Sequence, residues 1–312
     1  MNRDRDLIIL GSGPAGYTAA IYAARAMTSP LIVKGAQPGG QLTITNQVEN
    51  YPGFSKPIDG TWLMQQMEIQ AVCYGAEVIA DHIVSVSLDE YPFKLIGDSG
   101  KTYTCRALII ATGAQVRWLG LPSEKAYRGY GVSACATCDG FFFRNKQVVV
   151  VGGGNTAVEE ALFLTNYARQ VTLVHRRDNL KAEKILQDRL FKNQSIKIVW
   201  NSVIDEIRGN DDPKQVTHVV LSDVKTEALT KLTADGVFIA VGHAPATSLF
   251  SDQLDMCNRG YIITHPDSTR TSIPGVFAAG DVTDDVFRQA ITSAGMGCMA
   301  ALEAERWLAT FR

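Results

Sequence analysis

The sequence has no apolar run of membrane-spanning length, and its first one, Leu7 to Leu10, follows a charged start and stops at Gly11. Such a run is too short for the core of a secretory signal, so a cytoplasmic location without a membrane role is expected. Neither sign of charge is in excess. The 30 Lys and Arg against 32 Asp and Glu leave a formal charge of -2, which provides no general field for nucleic acid or anionic lipid. Cysteine is sparse: Cys73, Cys105, Cys135, Cys138, Cys257 and Cys298 are too few for a disulfide scaffold in a chain this long. Low-complexity tracts and heptads are missing, and a hydrophobic content of 46% excludes a disordered chain. Glycine, in contrast, is plentiful, and many of the 27 glycines follow apolar runs.

At 312 residues the chain exceeds the roughly 250 to 300 residues at which single cores stop growing, so two domains are expected. Internal comparison exposes a duplicated plan. Asp6 to Leu10 runs into Gly11-Ser12-Gly13-Pro14-Ala15-Gly16, and Gln147 to Val151 runs into Gly152-Gly153-Gly154-Asn155-Thr156-Ala157. Each is a short strand that turns on glycine and continues into a small-residue helix, expected over Tyr17 to Met27 and Val158 to Tyr167. The first glycine (Gly11, Gly152) permits the tight turn and the second (Gly13, Gly154) lets backbone approach a pyrophosphate. The third position (Gly16, Ala157) sets helix–sheet packing, and the helix N-terminus offers N–H groups to phosphate. Each half closes on a similar strand, Ala107 to Ala111-Thr112-Gly113 and Val237 to Val241-Gly242. A third such strand, Gly275 to Gly280-Asp281, has no glycine loop of its own and is expected to return to the first domain. The fold class is therefore α/β, with two Rossmann-like dinucleotide-binding domains of the three-layer type, one inserted into the other. The outer domain is expected over residues 1–115 and 246–312 and the inserted one over 116–245, with Pro and Gly near both crossings.

The two copies differ at the end of their second strand, where an acidic residue would bind an adenosine 2′-hydroxyl. Neither has one. In the second copy that strand ends in His175-Arg176-Arg177-Asp178, with Lys181 a turn later. Guanidinium pairs bidentately with phosphate, which argues for NADPH rather than NADH; the bland alternative is a solvated basic turn. In the first copy the strand ends in Lys34-Gly35, which leaves its ribose contact open.

Cys135-Ala136-Thr137-Cys138 has three readings: half of a zinc site, which needs two further ligands not found nearby, two unconnected buried thiols, or a redox disulfide. An NADP site in the same chain gives the third an electron source, and Asp139 next to the pair could shuttle a proton. Hydride arriving on nicotinamide must leave as thiol–disulfide exchange, a task for flavin, so the first nucleotide should be FAD. Asp281 would bind its ribityl chain, or cap a helix, or both. The other four cysteines read as packing residues. Phe141-Phe142-Phe143 cannot all face inward on one strand or one helical stripe, so at least one should be exposed.

Gly11 to Gly16, Gly39-Gly40-Gln41-Leu42, Ala111-Thr112-Gly113, Ser133 to Gly140 with its cysteines, His175 to Asp178, Gly280-Asp281 and Arg288-Gln289-Ala290 stand in this order. The whole chain thereby resembles the low-molecular-weight, bacterial-type thioredoxin reductases of the pyridine nucleotide-disulfide oxidoreductases. The resemblance implies a homodimer that binds FAD and NADPH and reduces thioredoxin. It also implies that Cys138 is the flavin-side thiol, Cys135 the one that attacks thioredoxin and Asp139 the acid–base group. Lys34 to Leu42 and Arg288, Gln289 and Ala290 would contact FAD, with Asn50 near its ring, and Phe141 and Phe142 would touch thioredoxin. Lys181 departs from the arginine common there, keeping the charge and losing the planar fork. Two rivals stand beside this reading. One is a ferredoxin- or flavodoxin-NADP reductase, which needs no dithiol; the other is an NADP-sensing module without turnover.

Overall fold

Leu7, Ile8, Ile9 and Leu10 are all buried, which requires cover on both faces of their strand. The structure, a computed structural model, describes residues 3–44 and 48–311. Its backbone contacts divide it into two units, Met1–Gln115 with Ala244–Arg312, and Val116–His243.

In the first unit the strand Arg3–Leu10 lies between Leu31–Val33 and Thr102–Ile110, parallel to both, with Glu77–Ile79 beyond Leu31–Val33. The pleat sends alternate residues to opposite faces. Leu7 and Ile9 share one core with Ala19, Ala20 and Ala23 of the helix Pro14–Arg25, while Ile8 and Leu10 share a second core with Phe250 and Ile262. The expected return of the third strand occurs: Val276–Ala278 pairs in parallel with Leu108–Ile110. The C-terminal helix Ala290–Ala309 packs on Pro14–Arg25 through small residues, and a Cβ on Gly297 would overlap the Ala15 carbonyl.

The second unit repeats the plan with five parallel strands in the order Ile196–Val199, Gln170–Val174, Gln147–Val151, Gly236–Ile239, Val132–Ser133. Val148 and Val150 face one core, and Val149 and Val151 the other. An antiparallel sheet of Ser202–Asp211, Lys214–Asp223 and Leu229–Thr233 covers the second face.

Both loop helices begin earlier than the apolar periodicity suggested, at Pro14 and Asn155 rather than Tyr17 and Val158, and end at Arg25 and Leu164. Proline at the first helical position has its fixed φ already helical and no N–H to waste. At the other end Met27 turns left-handed at φ 61°, and Thr28 Oγ1 donates to the Ala23 carbonyl at 2.8 Å. Among the described residues no helix is long and apolar enough to cross a membrane.

Candidate active site

The two glycine loops match at their first two glycine positions. Gly11 has φ +108°, and a Cβ there would overlap the Ala111 carbonyl; Gly152, at φ +154°, would meet the Ala240 carbonyl in the same way. Gly13 and Gly154, the N-caps of their helices, have nothing within 4 Å of a built Cβ and no side-chain cap. That is the open approach to helix N–H groups which a pyrophosphate needs. The third positions differ. A Cβ on Gly16 would overlap the Gly11 carbonyl, whereas Ala157 already carries a methyl and is fully buried. Gly16→Ala is therefore expected to destabilise the fold by about 1–3 kcal/mol, and Ala157→Gly by no more than about 1 kcal/mol. Denaturant midpoints of the two variants check the asymmetry.

Around the first loop, Ser12 Oγ donates to the Lys34 carbonyl and accepts from Gly39 N–H, both at 3.0 Å. This draws residues 34–40 over the glycine turn, and Gly40, at φ +65°, passes so close to Gly13 that a Cβ would stand 3.3 Å from its Cα. Gly35 N–H donates to the Asp81 carbonyl at 3.0 Å, and Leu42 packs on the core. Gln41 Nε2 reaches Gln37 Oε1 at 3.5 Å, while Thr112 Oγ1 donates to the Ala246 carbonyl and Gly113 turns at φ +71°. Asn50 Nδ2 donates to Gln289 Oε1 at 3.2 Å, so two residues 239 apart in sequence meet on one surface. Gln289 and Thr292 form a reciprocal capping box on the helix that starts at Ala290, and Arg288 N–H donates to Asp284 Oδ2.

Asp281 does not cap that helix. It follows Gly280, whose φ is +81°, and accepts from Ser293 Oγ at 2.9 Å. Burial pushes its carboxyl up to about 6, offset in part by the Ser293 hydrogen bond. Ser293 carries no sequence signal for this contact. The native state then holds a proton more tightly than an unfolded chain, whose Asp titrates near pH ~4. Stability of the flavin-free chain should fall as pH rises from about 4 to about 6. Asp281→Asn should flatten that limb, and equal slopes in a denaturant series across this range would count against a native-state proton on Asp281. A half-buried carboxyl beside an open glycine loop fits a group bearing both hydroxyls and phosphates, as FAD does.

In the second unit His175 is buried, with Nε2 2.9 Å from the Asn179 carbonyl. Its ring lies where a Cβ on Gly153 would stand, and burial lowers its pKa. His175 thus shapes the basic turn from beneath, while Arg176, Arg177 and Lys181 are exposed. The Lys181 N–H holds the turn to the Gly153 carbonyl at 2.8 Å. Asn155 exchanges two hydrogen bonds with Glu183, Thr156 sits in the first helical turn, and Gly242, at φ +104°, follows the exposed Val241.

Cys135 and Cys138 form a disulfide. A single helical turn, Ala136–Asp139, brings them together and is fixed by Asp139 N–H donating to the Cys135 carbonyl at 3.1 Å. Ala136 anchors the turn in the core, and Cys135 N–H donates to Ser133 Oγ at 3.1 Å. Thr137 Oγ1 lies 3.3 Å from Cys135 Sγ. Burial raises the Asp139 carboxyl above its ordinary value, with a hydrogen bond from Ser133 opposing it, so it holds a proton nearer neutral pH than a solvated aspartate. Phe141 is 52% exposed, Phe142 half-buried and Phe143 buried against Phe238. No group of residues able to hold a metal ion occurs among the described residues. The expectation for the remaining cysteines needs correction: Cys105 is buried, but Cys73 is exposed, because it closes the helix Gly60–Cys73 on its solvent side.

The sequence matches the family described as pyridine nucleotide-disulphide oxidoreductase over residues 5–297. It is 58% identical to a thioredoxin reductase of Rickettsia conorii, with 97% of each chain covered. It is also 55% identical to the thioredoxin reductase of Escherichia coli O157:H7, over 97% of this chain and 95% of that one. The crystal structure of thioredoxin reductase from Streptococcus pyogenes MGAS5005 superposes with a TM-score of 0.93 at 43% identity, covering both chains in full. Glycine loops, cysteine pair and relatives agree: the chain belongs to the pyridine nucleotide-disulphide oxidoreductase family, within its bacterial-type thioredoxin reductases.

Proposed function

We propose that the chain transfers two electrons from NADPH, by way of FAD, to the Cys135–Cys138 disulfide, and that the resulting dithiol reduces thioredoxin. The observation that carries this reading is the disulfide with Asp139 beside it, in a unit whose glycine loop is open at Gly154 and whose strand end carries exposed Arg176 and Arg177. Such a pair counts against a ferredoxin reductase, which has no use for a dithiol.

FAD would be held by Gly11 to Gly16, the segment from Lys34 to Leu42, Ala111 to Gly113, Gly280, Asp281 and Arg288 to Ala290, with Asn50 beside Gln289. When bound it supplies the two-electron relay between nicotinamide and disulfide. NADPH would lie on Gly152, Gly154, Asn155, Thr156 and Ala157, with its 2′-phosphate on Arg176, Arg177 and Lys181 and with Val241 and Gly242 along its edge. Once reduced, Cys135 attacks one sulfur of the thioredoxin disulfide, and a mixed disulfide forms as the other thioredoxin sulfur leaves as thiolate and takes a proton. Cys138 then attacks Cys135, which restores the internal disulfide and frees the second thioredoxin thiol. Asp139 holds and returns the proton that these thiolates exchange. Exposed Phe141 offers an aromatic contact to the protein substrate.

A homodimer belongs to the same reading. Ile291, Met299 and Leu302 are exposed along one face of the C-terminal helix, with Tyr22 also exposed, a face suited to a second copy. The purified protein should carry about one FAD per chain and oxidise NADPH beyond a stoichiometric amount only when oxidised thioredoxin is added. Colourless protein that takes up no FAD, or flavoprotein that leaves thioredoxin oxidised, would refute the reading.

A further inference from the structure

The first nucleotide loop presents a puzzle, since its second strand, Leu31–Val33, ends on Lys34, where a nucleotide lacking a 2′-phosphate is ordinarily met by a carboxylate. A bare ammonium at that point would favour the phosphorylated adenosine over the unphosphorylated one.

The structure resolves the conflict from a distant element. Glu68, on the helix Gly60–Cys73, places Oε1 2.6 Å from Lys34 Nζ. Its other oxygen, Oε2, accepts from the hydroxyl of the buried Tyr17 at 2.6 Å. Both oxygens are thus used, one to neutralise the lysine and one to fix the carboxylate to the glycine-loop helix. Burial alone would raise the Glu68 carboxyl, but the Lys34 and Tyr17 hydrogen bonds and the lysine charge bring it below its ordinary value, so it is ionised at neutral pH. The second unit lacks this device: among the described residues neither Arg176 nor Arg177 is ion-paired.

We propose that Glu68 is a specificity-determining residue of the first nucleotide site, supplying from a neighbouring helix the negative charge that the strand end lacks and so excluding 2′-phosphorylated adenosine nucleotides. The inference rests on the reading that this unit holds FAD. It gives the two units opposite preferences through one variable: whether the cation at the end of the second strand is neutralised.

Competition against bound flavin tests it. The full-length chain with its FAD is incubated with 5′-ADP or 2′,5′-ADP, and released FAD is measured by fluorescence in the filtrate. Arg176→Ala and Arg177→Ala are present throughout, so that the second unit has no preference for the 2′-phosphorylated probe. The parent chain should release FAD more readily with 5′-ADP. Glu68→Gln should shift the ratio of half-effective concentrations about tenfold toward 2′,5′-ADP, the size of one charge-assisted hydrogen bond. The double variant Lys34→Met with Glu68→Gln should return the ratio to the parent value, which a merely structural loss at Glu68 would not do. An unchanged ratio in Glu68→Gln, or no return in the double variant, overturns the inference while leaving FAD binding intact. A parent chain that holds no flavin overturns the underlying reading and the inference together.

Discussion

Replacing Cys138 with serine is expected to turn the chain into a trap for thioredoxin. The disulfide of Cys135 and Cys138 can no longer form, so steady-state thioredoxin reduction should fall by at least about a thousandfold, as it does when one member of a catalytic unit is removed. Cys135 keeps its thiol, its N–H bond to Ser133 and its neighbour Thr137. It can still attack, yet nothing resolves the mixed disulfide. With a thioredoxin that lacks its own second thiol and is activated at the first, a persistent one-to-one adduct should appear on a non-reducing gel and vanish with dithiothreitol. Cys135→Ser should lose turnover to the same degree and give little adduct. The reverse pattern, an adduct with Cys135→Ser alone, would exchange the two roles.

Removing Arg176 and Arg177 together should separate the two nicotinamide cofactors. Both side chains are exposed at the end of the strand Gln170–Val174, over a turn fixed by buried His175 and by the Lys181 N–H bond to Gly153. Each guanidinium that meets the 2′-phosphate contributes a charge-assisted contact that NADH cannot make. The KM for NADPH should rise on the order of 100-fold, the KM for NADH should change less than about threefold, and kcat should hold with both. Equal changes for the two cofactors would mean that the arginines form only a solvated turn. Lys181→Arg, which restores the planar fork, should move the NADPH KM in the opposite direction.

What the sequence disclosed depended on how locally each feature is encoded. The glycine loops were legible because three positions within six residues each have their own steric task, and the structure assigns those tasks to Gly11, Gly13 and Gly16 and to Gly152, Gly154 and Ala157. The return of Val276–Ala278 to the first sheet was legible because that strand had no loop to serve. Helix starts were misjudged by three residues, since Pro14 and Asn155 look like loop until the open N-caps Gly13 and Gly154 are seen. Contacts between distant residues left no trace. Lys34 gave no hint of Glu68, nor Asp281 of Ser293, because a charge or hydroxyl brought by another helix obeys no spacing rule. His175 shows a subtler gap: it sits among basic residues in sequence, but packing against Gly153 turns it inward.

Anaerobic thiol counting tests electron delivery to the cysteine pair most directly. Four cysteines, Cys73, Cys105, Cys257 and Cys298, are free, so alkylation under denaturing conditions should modify four thiols in the protein as isolated. Excess NADPH should raise the count by two, with both new sites mapping to Cys135 and Cys138. A count that stays at four after NADPH, or new thiols at any other position, would contradict the transfer of electrons to this disulfide.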